Sequence, residues 1–236
     1  MNFRNFLLSC LEESDLKALM PSLTEVSLRQ GQILFEVGAA PEHLYFPSSA
    51  VLSIVTVLED GRSVETATIG RESGVALLNA FAMLPIESRI FTQIAGAAFR
   101  LPAPALRKQL AESPDLTKLL LRHIHATGAQ AQQFVACNVL HSAEQRLARW
   151  LLMTADRTGG PSFPLTQEYM AVMIGVQRTT VSTLASGFKD AGLIHYSRGH
   201  MEILDPQRLE QAACECAAIA QRRFEELRDQ CGDPLA

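Results

Sequence analysis

The sequence predicts an α+β chain in three parts: a first half of short antiparallel strands, one long uninterrupted helix, and a small helical half closed by a hairpin. Three observations predict it. Between Val26 and Leu101, short β-branched and aromatic runs alternate with turn-forming residues. From Pro114 to about Leu140 no further proline occurs, and Gly128 is the one glycine. Between Phe163 and Pro206, two helix-length segments flank Gly175, and two strand-length pieces then flank Arg198-Gly199.

The chain has 236 residues, long enough for one large or two modest domains and for a sizeable core. With 47% apolar and 19% charged residues and a mean hydropathy of +0.09, a disordered chain is excluded. No apolar run approaches the ~20 residues that a spanning helix needs, so no membrane partner is expected. The start, MNFRNFLLSCLEESD, runs into Glu12 without a small-residue cleavage site, so no signal peptide is read. Five cysteines without framework spacing suggest a reduced, cytoplasmic protein. A net charge of −4 excludes a basic coat for nucleic acid but not a local reading surface.

Taken in order, a helix from Glu12 to Met20 ends at Pro21. The runs VSL, ILFEV, HLYF, VLSIVTVL and SVETATI follow, and Asp60-Gly61 between the last two is a hairpin signal. RIFTQI and AAFRL, on either side of Gly96, close the set. Eight or so strands at this spacing predict a jelly-roll or β-roll over residues 1–112. Ser113-Pro114-Asp115 then starts the long helix, with proline at its first helical position. Leu120, Ile124, Thr127, Ala131, Phe134 and Asn138 recur at alternating spacings of four and three. That seam predicts a dimer helix over 113–140, and the bland alternative is packing on its own domain. A further helix from Ala143 to about Thr158 places Leu147, Trp150, Leu151 and Thr154 on one buried face.

Residues 141–210 carry the functional signal. Thr166 caps a helix containing Tyr169, Met170, Val172 and Met173, Gly175-Val176 turns, and a second helix runs from Gln177 to about Ala191. Helix, turn, helix and hairpin make a winged helix-turn-helix, whose second helix enters a major groove. Val181, Leu184, Ala185 and Phe188 form its buried face. The outward residues Gln177, Arg178, Thr179, Thr180, Ser182 and Thr183 supply a bidentate cation, an amide and hydroxyls suited to base edges and phosphates. Lys189 and the wing residues Arg198 and His200 are expected on phosphates, and Thr166 and Gln167 at the start of the first helix are further DNA-binding candidates. Double-stranded DNA is therefore the expected partner; an ordinary helical hairpin with a polar face is the alternative.

These residues carry a resemblance. VLHSAEQRLARWLLMTADR and PLTQEYMAVMIGVQRTTVSTLASGFKDAGLIHY resemble the DNA-binding half of the Crp/Fnr superfamily of bacterial transcription regulators. LRQGQILFEVG, HLYFPSSAVLSIVTVLEDGRSVE and TIGRESG are similar to its cyclic-nucleotide-binding-like β-roll. The resemblance spans roughly residues 5–210 and implies a homodimer on a palindromic site, with RNA polymerase as a further partner. It also marks departures. Where the family's recognition helix commonly carries Arg, Glu and a later Arg, this chain has Arg178, Thr179 and Thr183. Cyclic-nucleotide-binding members have Gly-Glu and then Arg-Ser/Thr-Ala; here stand Gly74-Val75 and Ser88-Arg89-Ile90, leaving Glu72 and Arg89 as the candidate effector residues. Only Cys10 precedes residue 137, so the N-terminal cysteine cluster of the iron–sulfur members is missing.

The remaining signals are weaker. Cys214-Glu215-Cys216, read as lying on a helix, should place one thiol in an interface and one in solvent. His123 and His125 diverge on their helix and are expected to be core or surface residues. No cofactor and no metal set is read. Residues 211–236 form a last amphipathic extension. A redox- or metal-responsive regulator of the same fold, using cysteine or histidine, is the alternative within the class. No G-x-S-x-G, P-loop or H-E-x-x-H occurs, so no enzyme is expected. A β-roll enzyme would leave the helix-turn-helix unexplained; a protein-interaction module using the wing is the other rival.

Overall fold

The computed structural model describes residues 4–229. Its first half begins with two short helices, α1 (Phe6–Ser9) and α2 (Glu13–Leu19), and a 3₁₀ turn at Met20–Ser22 where Pro21 stops the helix. The strands are β1 (Thr24–Leu28), β2 (Ile33–Phe35), β3 (His43–Pro47), β4 (Val51–Val57), β5 (Ser63–Ile69), β6 (Arg89–Ile94) and β7 (Gly96–Pro102), with α3 (Leu77–Ala82) between β5 and β6. They pair antiparallel in two sheets, of order β1-β7-β3 and β2-β6-β4-β5. Leu28, Phe35, Leu52, Ile69, Val75, Ile90 and Ala98 fill the space between the sheets. The expected hairpin at Asp60-Gly61 joins β4 to β5, with Gly61 at φ +84°.

Two helices follow without a loop between them. Helix α4 (Ala103–Glu112), which the sequence reading passed over, starts behind Pro102 with Pro104 in its first turn. Proline is tolerated there because the first-turn N–H groups have no intrahelical acceptor. Helix α5 (Pro114–Leu140) begins where expected, with the Ser113 side chain accepting from Leu116 N at 3.1 Å. The outer side of the β3–β7 sheet meets α1, α2, α4 and the first turns of α5 through Leu7, Leu8, Leu44, Leu101, Leu106, Leu116 and Leu120.

The second half comprises α6 (Ala143–Thr158), β8 (Ser162–Pro164), α7 (Gln167–Ile174), α8 (Arg178–Asp190), β9 (Ile194–Ser197), β10 (His200–Ile203), α9 (Pro206–Ala212) and α10 (Cys216–Asp229). Helix α6 carries a capping box, in which Ser142 Oγ accepts from Gln145 N and Gln145 Oε1 accepts from Ser142 N. Only His141 and Ser142 separate α5 from α6. The expected C-terminal extension over 211–236 starts within α9 and continues as α10, with Cys214 in the break between them, and its last seven residues lie outside the described ones. The expectation of one buried and one exposed thiol fails: Cys214 and Cys216 are both buried, together with Cys137 of α5.

The two halves share a core. Strand β4 is buried on both faces: Leu52 points between the sheets, whereas Val51 joins Ile94, Leu147, Trp150, Leu151 and Met173 beneath α6 and α7. The polar residues of this contact are paired. Glu65 accepts from Ser53 Oγ at 2.6 Å and from Trp150 Nε1 at 3.3 Å, while Arg157 Nε meets Glu72 Oε1 at 2.8 Å. A Cβ on Gly70 would lie 2.6 Å from Arg157 Cγ, so only glycine lets α6 approach this closely.

Burial pushes the Glu65 carboxyl up from 4.5 to about 7, against the opposing hydrogen bonds of Ser53, Thr68 and Trp150 and the charge of Arg157. A carboxyl whose folded value lies above its unfolded one keeps its proton in the folded state while the unfolded chain ionises. Its stabilisation is therefore complete below about pH 4.5 and lost as pH rises through 7. Glu65→Gln should remove a loss of roughly 3 kcal/mol between those limits. The check is the difference in melting temperature between wild type and variant across pH 5 to 8, which should widen in the variant's favour toward pH 8.

Candidate nucleic-acid interface and sensor cavity

The second half builds a protruding polar helix on an apolar base. Thr166 Oγ1 accepts from Tyr169 N at 3.2 Å and starts α7, and Gly175, at φ +65°, ends it. After Val176 and Gln177 the chain re-enters helix as α8. Val181, Ala185 and Phe188 seat α8 on Met170, Met173, Ile194 and Met201, and its opposite face stays in water. Gln177, Arg178, Thr179, Thr180, Ser182 and Thr183 are all exposed, as is Lys189 in the last turn. Gln177, the N-cap, makes no side-chain cap bond, so the first-turn N–H groups of α8 point outward and suit an anion.

Several of the expected DNA-facing residues already have work within the chain. The Thr166 hydroxyl is the cap of α7. Ser182 Oγ donates to Gln167 Oε1 at 3.4 Å, tying α8 to the start of α7. Thr183 Oγ1 donates back to Thr179 O at 3.2 Å. No intrachain hydrogen bond among the described residues engages the side chain of Gln177, Arg178 or Thr180. On the wing, Arg198 at φ +50° and Gly199 at φ +77° form the two-residue turn between β9 and β10, with both residues left-handed as such hairpins require. His200 is exposed and its Nε2 lies 2.7 Å from Ser162 Oγ.

A cavity of about 280 Å³ opens between the β-roll and α5, lined by Gly74, Val75, Asn79, Glu87, Ser88 and, from α5, His123, Ile124, Thr127, Gln130, Ala131 and Phe134. Its lining holds no lysine or arginine. The two candidate effector residues are elsewhere. Glu72 turns away to pair with Arg157 of α6, and Arg89 sits on the surface with Glu36 at 2.9 Å. Sequence offset alone put them near the cavity; on β6 the alternation of faces sends Arg89 outward while its neighbours Ser88 and Ile90 face in. His123, expected to be a core or surface residue, is buried in the cavity wall. Its Nε2 lies 2.8 Å from Ser73 Oγ, and burial lowers its pKa from 6.5 to about 4, so the ring is neutral at physiological pH.

The seam on α5 needs correction. Leu120 is consumed by its own chain, buried among Leu7, Leu8 and Leu106. Phe134 is covered by Arg149, whose guanidinium carbon lies 4.3 Å above its ring. The apolar side chains left in water are Leu121, Val135, Val139 and Leu140, with Val135 66% exposed. Leu121 and Val135, together with Ile124, Gly128, Ala131 and Asn138, form a face of alternating three and four spacing, rotated by one residue along half of the expected line, with Val139 one turn beyond Val135. Leu120 and Leu121 both fit a seam by sequence, and only the position of the β-roll decides between them.

Comparison with known proteins follows this division. Residues 25–113 match the family model described as a cyclic nucleotide-binding domain, and residues 145–212 match a Crp-like helix-turn-helix domain. The chain is 27% identical over 210 residues to a CRP-like cAMP-activated global transcriptional regulator of Mycobacterium tuberculosis, covering 86% of this chain and 94% of that one. It is 24% identical to a global nitrogen regulator of Synechocystis, over 82% of this chain and 89% of the other. Among solved structures, a transcriptional regulator of the Crp/Fnr family from Eubacterium rectale superposes with a TM-score of 0.66 at 19% identity, covering 87% of this chain and 96% of that one.

Proposed function

The chain belongs to the Crp/Fnr superfamily and is a DNA-binding transcription regulator, and from that premise we propose that it acts as a homodimer on a palindromic promoter site. The observation that carries the reading is the exposed first turn of α8, where Arg178, Gln177 and Thr180 stand over uncapped N–H groups on a rigid apolar base. In this reading α8 enters the major groove and Arg178 is bidentate to a guanine. Arg198, His200 and Lys189 meet phosphates, as does the start of α7 at Thr166 and Gln167. Thr179, Ser182 and Thr183 line the groove with hydroxyls. Thr179 and Thr183 replace the Glu and Arg found elsewhere in the family, so the half-site departs from the family's usual one. RNA polymerase is the partner through which bound protein alters transcription, in the cytoplasm where the DNA is.

Dimerisation is assigned to the exposed face of α5 from Leu121 to Val139. Paired there in parallel, two copies would set their recognition helices about 34 Å apart, one turn of DNA. The signal, where one acts, enters the cavity beside α5. It is not cAMP: Val75 has no acceptor for a ribose hydroxyl, and a cyclic phosphate would find no cation in the lining.

These assignments have distinct readouts. Val135→Asp, exposed in the single chain, should leave the fold intact yet yield monomers by light scattering, with loss of DNA binding; a surviving dimer would refute the seam. Arg178→Ala should cost ~1–3 kcal/mol per half-site on the selected duplex and flatten preference at one base pair. Arg198→Ala should weaken specific and random duplexes alike and reduce the salt dependence by about one ion per subunit. Millimolar cAMP should shift neither the melting temperature nor the DNA affinity, whereas a ligand at a thousandfold excess over its Kd would stabilise by ~4 kcal/mol.

A further inference from the structure

Four side chains far apart in sequence converge where the two halves join. Cys137 ends the penultimate turn of α5, His141 is the first residue of the two-residue hinge, Cys214 lies in the break between α9 and α10, and Cys216 opens α10. Their donor atoms, three Sγ and one imidazole nitrogen, all lie within 4.8 Å of one another. The three thiols are buried, and His141 is half-buried. We propose that Cys137, His141, Cys214 and Cys216 bind one thiophilic divalent cation of the Zn²⁺ class in a closed tetrahedral site that pins α10 across the hinge between α5 and α6.

Geometry supports a single ion. Bonds of about 2.3 Å to sulfur and 2.0 Å to nitrogen, at tetrahedral angles, require a sulfur–sulfur edge of about 3.8 Å and a sulfur–nitrogen edge of about 3.5 Å. Cys137 Sγ and Cys214 Sγ are 3.5 Å apart, and Cys216 Sγ lies 3.6 Å from His141 Nδ1. Three thiolates and one imidazole are a structural zinc set, soft enough to reject Mg²⁺ and Ca²⁺.

The surroundings point the same way. His141 Nε2 lies 3.3 Å from Glu215 Oε2, which holds the proton on that nitrogen and leaves the Nδ1 lone pair facing the cysteines, as in a carboxylate–histidine–metal relay. Gln133 Nε2 donates to Cys216 Sγ at 3.2 Å, the outer hydrogen bond that a ligating sulfur accepts. Arg149 is 5% exposed, has no carboxylate partner among the described residues, and lies close enough to act on the thiols of Cys137 and Cys214. A buried guanidinium without a counter-charge is costly. Binding M²⁺ releases three protons from three thiols to solvent and leaves the site with a net charge of −1, which Arg149 neutralises.

The test uses the untagged full chain, purified anaerobically under reducing conditions. Elemental analysis should find about one zinc per chain, and replacement by Co²⁺ should give the visible bands of a tetrahedral ion with thiolate-to-metal charge transfer in the near ultraviolet. Cys214→Ser and Cys137→Ser should each abolish the charge-transfer spectrum or shift it to that of fewer thiolates, while Cys10→Ser leaves it unchanged. Glu215→Gln should weaken Co²⁺ affinity at least about tenfold without altering the spectrum. Wild-type protein that retains no metal and gives no tetrahedral Co²⁺ spectrum overturns the proposal. So does a spectrum that survives Cys214→Ser, the absorption of an iron–sulfur cluster, or a Cys137–Cys214 disulfide in reduced protein. None of these outcomes depends on DNA binding, which is measured separately.

Discussion

Helix α6 belongs to both halves of the molecule, and the arrangement of the rest depends on that sharing. Its apolar face, Leu147, Trp150 and Leu151, is the floor on which α7 and α8 sit. The same helix sends Trp150 Nε1 to Glu65 and Arg157 to Glu72, both on the β-roll side. A buried ion pair such as Arg157–Glu72 adds little net stability, because desolvation offsets much of its attraction. It acts instead on specificity. Removing either partner would strand a largely buried charge beside Gly70, where the backbone leaves no space for a side chain. The DNA-reading helix is thus held at one orientation to the sensor half by polar contacts that tolerate no slippage.

How much of this was legible in the sequence varies with the length scale of the signal. The strands and α5, α6 and α8 follow from local periodicity and caps, and the start of α5 at Ser113-Pro114 was readable from two residues. Helix α4 was missed because Pro102 and Pro104 look like breakers, although proline in a first turn is harmless. Helix α3 begins after Ala76 and ends at Met83, both left-handed without being glycine, so no residue announces its ends. Burial of Ser53 and Glu65 was likewise hidden, because a strand covered on both faces departs from simple alternation.

The site divides along the same line. The identity of α8 as the outward helix was legible, since its apolar residues at 181, 184, 185 and 188 leave one face polar. Which hydroxyls are spoken for was not: the Ser182–Gln167 and Thr183–Thr179 bonds depend on rotamers. Glu72 and Arg89 failed as cavity residues for a different reason. Arg89 lies on β6, where a one-residue offset reverses the face, whereas Glu72 lies in the turn after β5 and is drawn to Arg157 of α6. The thiols illustrate the extreme case. Cys214 and Cys216 were placed on one helix, where i and i+2 diverge, and the break after α9 removes that premise.

The cavity and the exposed face of α5 are not separate features. Ile124 and Ala131 line the cavity and also belong to the exposed apolar face, so a partner helix seated on that face would complete the cavity wall. On the same helix, Phe134 also lines the cavity and carries Arg149 of α6 on its ring. Arg149 in turn lies near enough to Cys137 and Cys214 for its charge to act on both thiols. Occupancy of the cavity would reach α8 by two physical routes, the register of two α5 helices in the proposed dimer or the seat of Arg149 on Phe134. Either route transmits only what a ligand contributes by preferring one arrangement over another. A lining with no lysine or arginine, one carboxylate at Glu87, and Val75, Thr127 and a neutral His123 favours a ligand recognised by shape and a few hydrogen bonds over an anionic one. The discrimination would then come from packing against α5, where a change of one side-chain layer alters the cavity and the exposed apolar face together.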